Sequence, residues 1–407
     1  MKTINISKIN KLELLFYPAW ALYVATTMLD STVIGMESNT IDLVYKILRY
    51  VVYGMCFIKI CSTAYTIQDI PFLLIFALAF FLGFYSGKNG TLVFYCLIML
   101  SSYKMNNEKT IKITAYTQGV FLLLIILLSQ SGIIMDYVFD EDARHRYGLG
   151  FTWTTVAPIT FFYFIMCFIY TNRRRIKWHH IIILEIINVW LYYKTNTRMA
   201  FALSSLFLLV VLFEKMNRKR FKILSKFKLV YIVYPFLAWL LVIIVCKVFN
   251  RDGSTWVRIN TLLSGRLKLS QDAVRLYGIH LLGQKVEWKG TNIFHTTYAP
   301  GEYNYVDSSY LQLTISYGMI FMFVVLVLFA YAIYKHIKVN DYYTVLIYIF
   351  ILTLTLTEPQ LMNFAYNPFS LLAFGIASKN IRVSRYVRKY RRKWKLGTGV
   401  ANEINYE

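Results

Sequence analysis

Charge is what this chain has least of. Lys, Arg, Asp and Glu make up 16% of its 407 residues against 57% hydrophobic residues, so the domain count that length would suggest for a soluble protein does not apply. Cysteine is scarce as well. Cys56, Cys61, Cys96, Cys167 and Cys246 all lie in or at the ends of apolar runs, and none lies in a polar loop. That excludes a disulfide framework, supplies no metal-ligand spacing, and leaves them as small buried hydrophobes. No removable leader is expected, because MKTINISKINK reads as a short basic tail entering an uncleaved first span. No internal repeat relates the two halves, and no pair of apolar runs shows the matched Gly/Pro breaks of an inverted-repeat transporter.

What the chain does have is a series of apolar runs, many long enough for a bilayer core of about 30 Å. They predict an all-α polytopic membrane protein of about twelve transmembrane helices, near 13–35, 43–63, 70–86, 91–103, 113–134, 155–170, 181–193, 199–213, 229–249, 308–334, 343–357 and 367–379. The net charge of +23 invites a nucleic-acid reading, but its placement argues against one. Lysine and arginine concentrate in alternate loops, at 104–112, 172–180, 214–228 and 335–341, and in the tail 379–407. By the positive-inside rule those loops and both termini are cytoplasmic. The nine Lys/Arg between Lys379 and Lys395 anchor topology and meet anionic headgroups; the tail is too short for a nucleic-acid-binding module. The outer side then receives 37–42, the acidic-rich stretch 135–148, and a 57-residue loop, Asn250–Val306. Long loops without linker composition carry function more often than not, and this one precedes the long apolar run Ser308–Tyr334. The whole chain, 1–407, reads as one polytopic domain in the cytoplasmic membrane.

Cations left on the outer side run against that charge bias. Arg198, in TNTRMAFALSSLF, stands at the mouth of the eighth run, either snorkelling to the interface or holding a phosphate through its planar fork. Within the loop, Ser264 is placed to cap a short amphipathic helix that carries Leu269, Ala273, Leu276 and Tyr277 on one face and ends at Gly278. Arg266 begins this helix, and Arg275 is expected to pair with Asp272. Asp307, where the chain re-enters the bilayer, reads as a helix cap or as a general base, with His295 and His280 competing for the second role. Arg144 and Arg146 sit beside three acids in DEDARHR, where mutual pairing and sugar contact are both open. Lys46 and Arg49 mark the second run, and Arg258, Lys268 and Tyr310 complete the candidate substrate contacts. Trp256, Trp288, Tyr298, Tyr303 and Tyr305 suit sugar stacking or an interfacial belt.

Three stretches in order, TNTRMAFALSSLF, LLSGRLKLSQDAVRLYGIHLLGQKVEW and VDSSYLQLTISYGMIFM, resemble the O-antigen polymerase and ligase superfamily. The likeness is greatest to Wzy-type capsular or exopolysaccharide repeat-unit polymerases of low-GC Gram-positive bacteria, and covers about residues 140–330. It implies a membrane glycosyltransferase of multi-span fold that uses neither metal ions nor nucleotide sugars and has no cofactor. The implied donor is a polysaccharide on undecaprenyl pyrophosphate, and the implied acceptor is a repeat unit on a second such lipid. A chain-length regulator and a flippase of the same pathway are the implied protein partners. Arg198 and Arg266 match positions that engage pyrophosphate. Two departures stand out. Trp153, Thr154 and Thr155 replace a His-Pro-Asn type of sequence, and Asp307 stands where the ligase branch has histidine, which favours polymerase over ligase.

A lipid-linked oligosaccharide flippase is the alternative from another class, but it predicts two comparable halves and ionisable residues deep in several spans. A ligase differs only in its acceptor. The topology is directly testable. Single cysteines at Ser254 or Thr291 should react with an impermeant thiol reagent in intact cells, while one at Ser225 should not. Labelling at Ser225 alone would invert the arrangement.

Overall fold

In hydrocarbon, every backbone N–H and C=O must find its partner inside the protein, and a helix does this within one segment. The computed structural model describes residues 11–34, 39–67, 69–141, 144–173, 175–216, 226–290 and 303–377. Among them the apolar runs are helical. The first group comprises α1 (Lys11–Asp30), α2 (Asn39–Cys61), α3 (Ile70–Gly87), α4 (Thr91–Ser101) and α5 (Asn107–Gln130). A hairpin follows, β1 (Val138–Glu141) with β2 (Arg144–Tyr147), antiparallel with Val138 opposite Tyr147. Next come α6 (Val156–Asn172), α7 (Trp178–Thr195), α8 (Arg198–Met216) and α9 (Lys228–Val248). Two loop helices, α10 (Ser254–Leu262) and α11 (Arg266–Tyr277), precede α12 (Ser309–Lys338), α13 (Tyr342–Leu354) and α14 (Phe369–Ala377).

Six of these helices, α1, α3, α5, α8, α9 and α12, are long and apolar enough to cross a membrane. Three more apolar helices, α4, α6 and α13, are shorter, and α2 carries Asp42, Lys46, Arg49 and Lys59. In α2 Lys46 pairs with Asp42 at 2.7 Å and Arg49 with Asp30 at 2.5 Å, while Lys59 donates to the Tyr103 carbonyl. The centre of the protein is α12. Of its apolar span 72% is buried, against 22–39% in the other five long helices, so α12 faces protein where they face outward. It packs against α3, α9, α11, α13 and α14.

Helix α12 is broken. At Gly318 the backbone turns to φ 92°, a conformation that only glycine adopts without strain. The N–H groups freed by the break are taken up by the loop: Met319 N–H donates to His280 O at 3.0 Å and Ile320 N–H to Leu281 O at 3.2 Å. In return Gln284 N–H donates to Ser316 O at 3.2 Å. This contact needs a second glycine, because a Cβ on Gly283 would overlap the Ser316 carbonyl and the Tyr317 Cα. The loop before α12 is therefore stitched into the wall of the bundle.

A second irregular stretch follows α13. Residues 355–368 form no regular helix, yet Leu361, Met362, Phe364 and Ala365 are buried. Side chains stand in for the missing ladder: Gln118 Nε2, midway along α5, donates to Ala365 O at 2.8 Å and Tyr366 O at 3.1 Å. Asn367 Nδ2 and Ser370 Oγ both donate to Leu361 O, at 2.9 and 2.8 Å. Irregular backbone at such depth persists only where protein encloses it.

The helix ends sort into two faces. One gathers the basic connections, where Arg173 meets Asp341 at 2.5 Å and lies 4.2 Å over the Tyr343 ring. The other holds the hairpin, α10, α11 and the start of α12. There a bridge pairs Thr32 with Phe151, and Thr152 N–H donates to Ser31 O at 3.0 Å.

Several sequence expectations change. Helix α11 ends at Gly278 as anticipated, but Ser264 is no cap: it has φ 54°, and Gly265 at φ 80° completes the turn. The packed face of α11 is Ser270, Gln271 and Ala273, leaving Leu276 68% exposed. Asp272 pairs with Arg251, not with Arg275, because tertiary contact brings in a more distant partner. Tyr310 lies fully inside the bundle and donates its hydroxyl to Leu352 O at 3.0 Å, so both ring and hydroxyl are committed to the fold.

The Gly283–Gly318 contact should be the least tolerant point of the loop. Gly283→Ala should destabilise by about 1–3 kcal/mol through overpacking. Gly54→Ala in α2, where a Cβ meets nothing within 4 Å, should not destabilise. Thermal unfolding of the two variants in the same detergent checks this; equal midpoints would show that the loop is not held by this contact.

Candidate functional site

Arg266 is the first residue of α11, and its place is fixed from behind. Asn260 Oδ1 accepts from Leu267 N–H at 3.1 Å and Lys268 N–H at 3.2 Å, satisfying two N–H groups that a helix start leaves open. The guanidinium then bridges two carboxylates from distant parts of the chain. Nε donates to Asp307 Oδ2 at 2.7 Å, and Nη2 donates to Glu358 Oε1 at 2.9 Å. Asp307 ends the loop just before α12. Glu358 lies in the buried stretch after α13, where its carbonyl accepts from Ser309 Oγ at 2.6 Å. Ser309 Oγ also accepts from Leu361 N–H at 3.2 Å, and Ser309 N–H donates to Thr355 O at 3.1 Å. One serine at the start of α12 thus locks the segment that carries Glu358.

Burial separates the two acids. Side-chain exposure is 23% for Asp307 and 5% for Glu358. Enclosure raises the Glu358 pKa from the ordinary 4.5 to about 7; the Arg266 charge opposes this and the Asp307 charge adds to it. Arg266 itself is held more firmly charged, since its two carboxylates outweigh the cost of its burial. Arg146 contributes a further positive field at Glu358. It stands on β2 and donates from Nε to Thr195 O at 3.0 Å. That carbonyl belongs to the turn leading to Arg198, the first residue of α8. Arg198 is exposed and makes no ion pair among the described residues.

The structure thus brings Arg266 and Asp307 into direct contact, with Arg146 close enough to act on Glu358 and Arg198 near the Thr195 carbonyl that Arg146 holds. Arg258 and Lys268 are exposed on α10 and α11 and take no part in the cluster. The Arg144 side chain, His295, Tyr298 and the basic tail lie outside the described residues. His280 is tied to Tyr277 O at 2.9 Å. Trp288 packs between Tyr277 and Tyr305, at 5.8 and 6.4 Å between ring centroids, and donates to Ser316 Oγ at 3.0 Å. Among the described residues no three His, Cys, Asp or Glu side chains come together as a metal site.

Glu358 is the residue that sequence reasoning missed. The signal was present: it is the one charged residue between Asp341 and Lys379. An ionisable group in so apolar a stretch is a functional candidate by default. Set against known proteins, the chain matches no family model, no curated protein and no solved structure.

A carboxyl group with a raised pKa is better accommodated by the fold when protonated. That stability is fully present below 4.5 and is lost as pH rises through about 7. Glu358→Gln stays neutral throughout, so its unfolding midpoint relative to the parent should climb across that interval. Parallel curves in differential scanning would remove Glu358 as a titrating group.

Proposed function

We propose that this chain is a polysaccharide polymerase, a membrane glycosyltransferase that moves a growing glycan from undecaprenyl pyrophosphate onto a lipid-linked repeat unit. In this reading it crosses the cytoplasmic membrane about twelve times, with both termini inside and the Arg266 cluster at the outer mouth. The observation that carries it is the meeting of Arg266, Asp307 and Glu358, with Arg146 alongside. Transfer from a lipid pyrophosphate asks little of a protein beyond cations for the leaving group and a base for the attacking hydroxyl. Both kinds of group are present here, at the start of the long helix with the largest buried share.

The cations divide the work. Arg266 is already balanced by two carboxylates. The negative charge that develops on the pyrophosphate falls mainly to Arg198, which has no ion-pair partner among the described residues. The carboxylate pair supplies the base. A ligase would use the same site with another acceptor, so the choice of acceptor added to the assay separates the two.

Purified protein supplied with lipid-linked repeat units should make polymer. Arg198→Lys keeps the charge but loses the two-pronged donor. It should lower kcat/KM about 10- to 100-fold, the worth of one charge-assisted hydrogen bond. Polymer at the parental rate from Arg198→Ala would take Arg198 out of the site. Deletion of the gene should leave single lipid-linked units accessible outside the cell; units trapped inside would support a flippase instead.

A further inference from the structure

The stretch from Glu358 to Asn363 holds more hydrogen-bonding capacity than the protein uses. Among the described residues, Gln360 Oε1, Asn363 Oδ1 and Ser308 Oγ are buried atoms without a hydrogen-bond partner. Two are amide oxygens, which only accept. All three belong to residues that flank Glu358 in sequence or adjoin Ser309, whose hydroxyl fastens the Glu358 segment. Buried acceptors without donors are costly, and a ligand that brings hydroxyl groups to the Glu358 segment would satisfy these three. A sugar is such a ligand.

We propose that Glu358 takes the proton of the attacking hydroxyl, and that the stretch from Glu358 to Asn363 is the subsite for the acceptor sugar. The assignment rests on the polymerase reading and says which carboxylate does the work. Asp307 and Arg266 are positioning residues: Arg266 spans the pair, so the location of each acid depends on the other. Asp307 keeps contact with solvent, whereas Glu358 is enclosed, and a base gains from enclosure when its proton affinity approaches the working pH.

The step balances without a further reagent. The acceptor hydroxyl oxygen bonds to the anomeric carbon of the donor glycan. The bond from that carbon to the pyrophosphate oxygen breaks, and its electron pair leaves with the lipid pyrophosphate. The hydroxyl proton passes to the Glu358 carboxylate and is released to water as the products depart.

The test uses full-length protein in lipid nanodiscs with purified lipid-linked repeat units. Glu358→Gln should lower kcat by about 10²–10⁴-fold, the usual contribution of a general base. Asp307→Asn should cost less and keep the rising limb of the pH profile. Gln360→Ala and Asn363→Ala should raise KM for the acceptor and leave KM for the donor unchanged. Infrared difference spectra should show a protonated-carboxyl stretch that titrates near neutrality, is lost in Glu358→Gln and persists in Asp307→Asn. Parental rates from Glu358→Gln would overturn the assignment, as would abolition by Asp307→Asn with only a modest loss from Glu358→Gln. A rise in donor KM in place of acceptor KM would overturn the subsite. Should Glu358→Gln fail to fold, Glu358→Asp decides, because a shifted rising limb supports the proposal and an unmoved limb refutes it. If the parent protein makes no polymer, the polymerase reading falls and takes this assignment with it. If the parent polymerises and Glu358→Gln keeps pace, the assignment falls alone.

Discussion

One guanidinium shared between two carboxylates fixes the relation of three parts of this chain. Arg266 comes from the loop, Asp307 from the threshold of α12, and Glu358 from the buried stretch beyond α13. Removing one partner from a buried charge pair costs about 3–5 kcal/mol, because the charge left behind has neither water nor counter-ion. Losing Arg266 would deprive both acids of their shared partner and push the Glu358 pKa further up. The site is therefore also a structural joint, and α11, α12 and the 355–368 stretch cannot drift apart without breaking it.

The joint has a counterpart in the backbone. Where α12 breaks at Gly318, the carbonyls of His280 and Leu281 receive its freed N–H groups. Below it, Gln118, Asn367 and Ser370 satisfy carbonyls that no helix serves. Both repairs hold irregular backbone in protein surroundings, where unmet polar groups are expensive. Irregularity lets side chains from separate segments converge, which an unbroken helix running past the same point would prevent. Side chains held by such bonds have less freedom left to lose on binding a ligand.

The sequence disclosed this unevenly, for physical reasons. Apolar runs foretold helices because their length and continuity are set by the bilayer, which acts on every residue alike. Among the described residues six helices meet the length and hydropathy requirements while the runs suggested about twelve, because α4, α6 and α13 are apolar but shorter. The loop helix was legible down to its Gly278 end, but its beginning was not, since Ser264 resembles a cap while Gly265 makes the turn. Asp272 and Arg275 have the spacing of a pair, yet Arg251, distant in sequence, takes the carboxylate. Tyr310 went astray because a helix apolar on every side gives no sign of which face meets solvent. Glu358 went unnoticed because it falls in a gap between apolar runs, where hydropathy alone reads a short loop. The fold there turns inward, and that depends on hydrogen bonds with α5 that no local pattern announces.

The two faces of the protein use charge in different ways. On the basic face, cations meet structural partners: Lys109 pairs with Glu13 at 2.7 Å, Lys104 donates to Ala64 O at 2.6 Å, and Arg173 pairs with Asp341. At the mouth, Arg266 is consumed by the two acids, and Arg146 supplies the remaining positive field at Glu358. Arg198 then stands as charge without an acid of its own among the described residues. In the proposed role an incoming anion is held by it without opening the Arg266 pairs, so binding need not cost stability. A site organised otherwise, with Arg266 as the main anchor of the anion, would have to give up a carboxylate contact each time substrate bound.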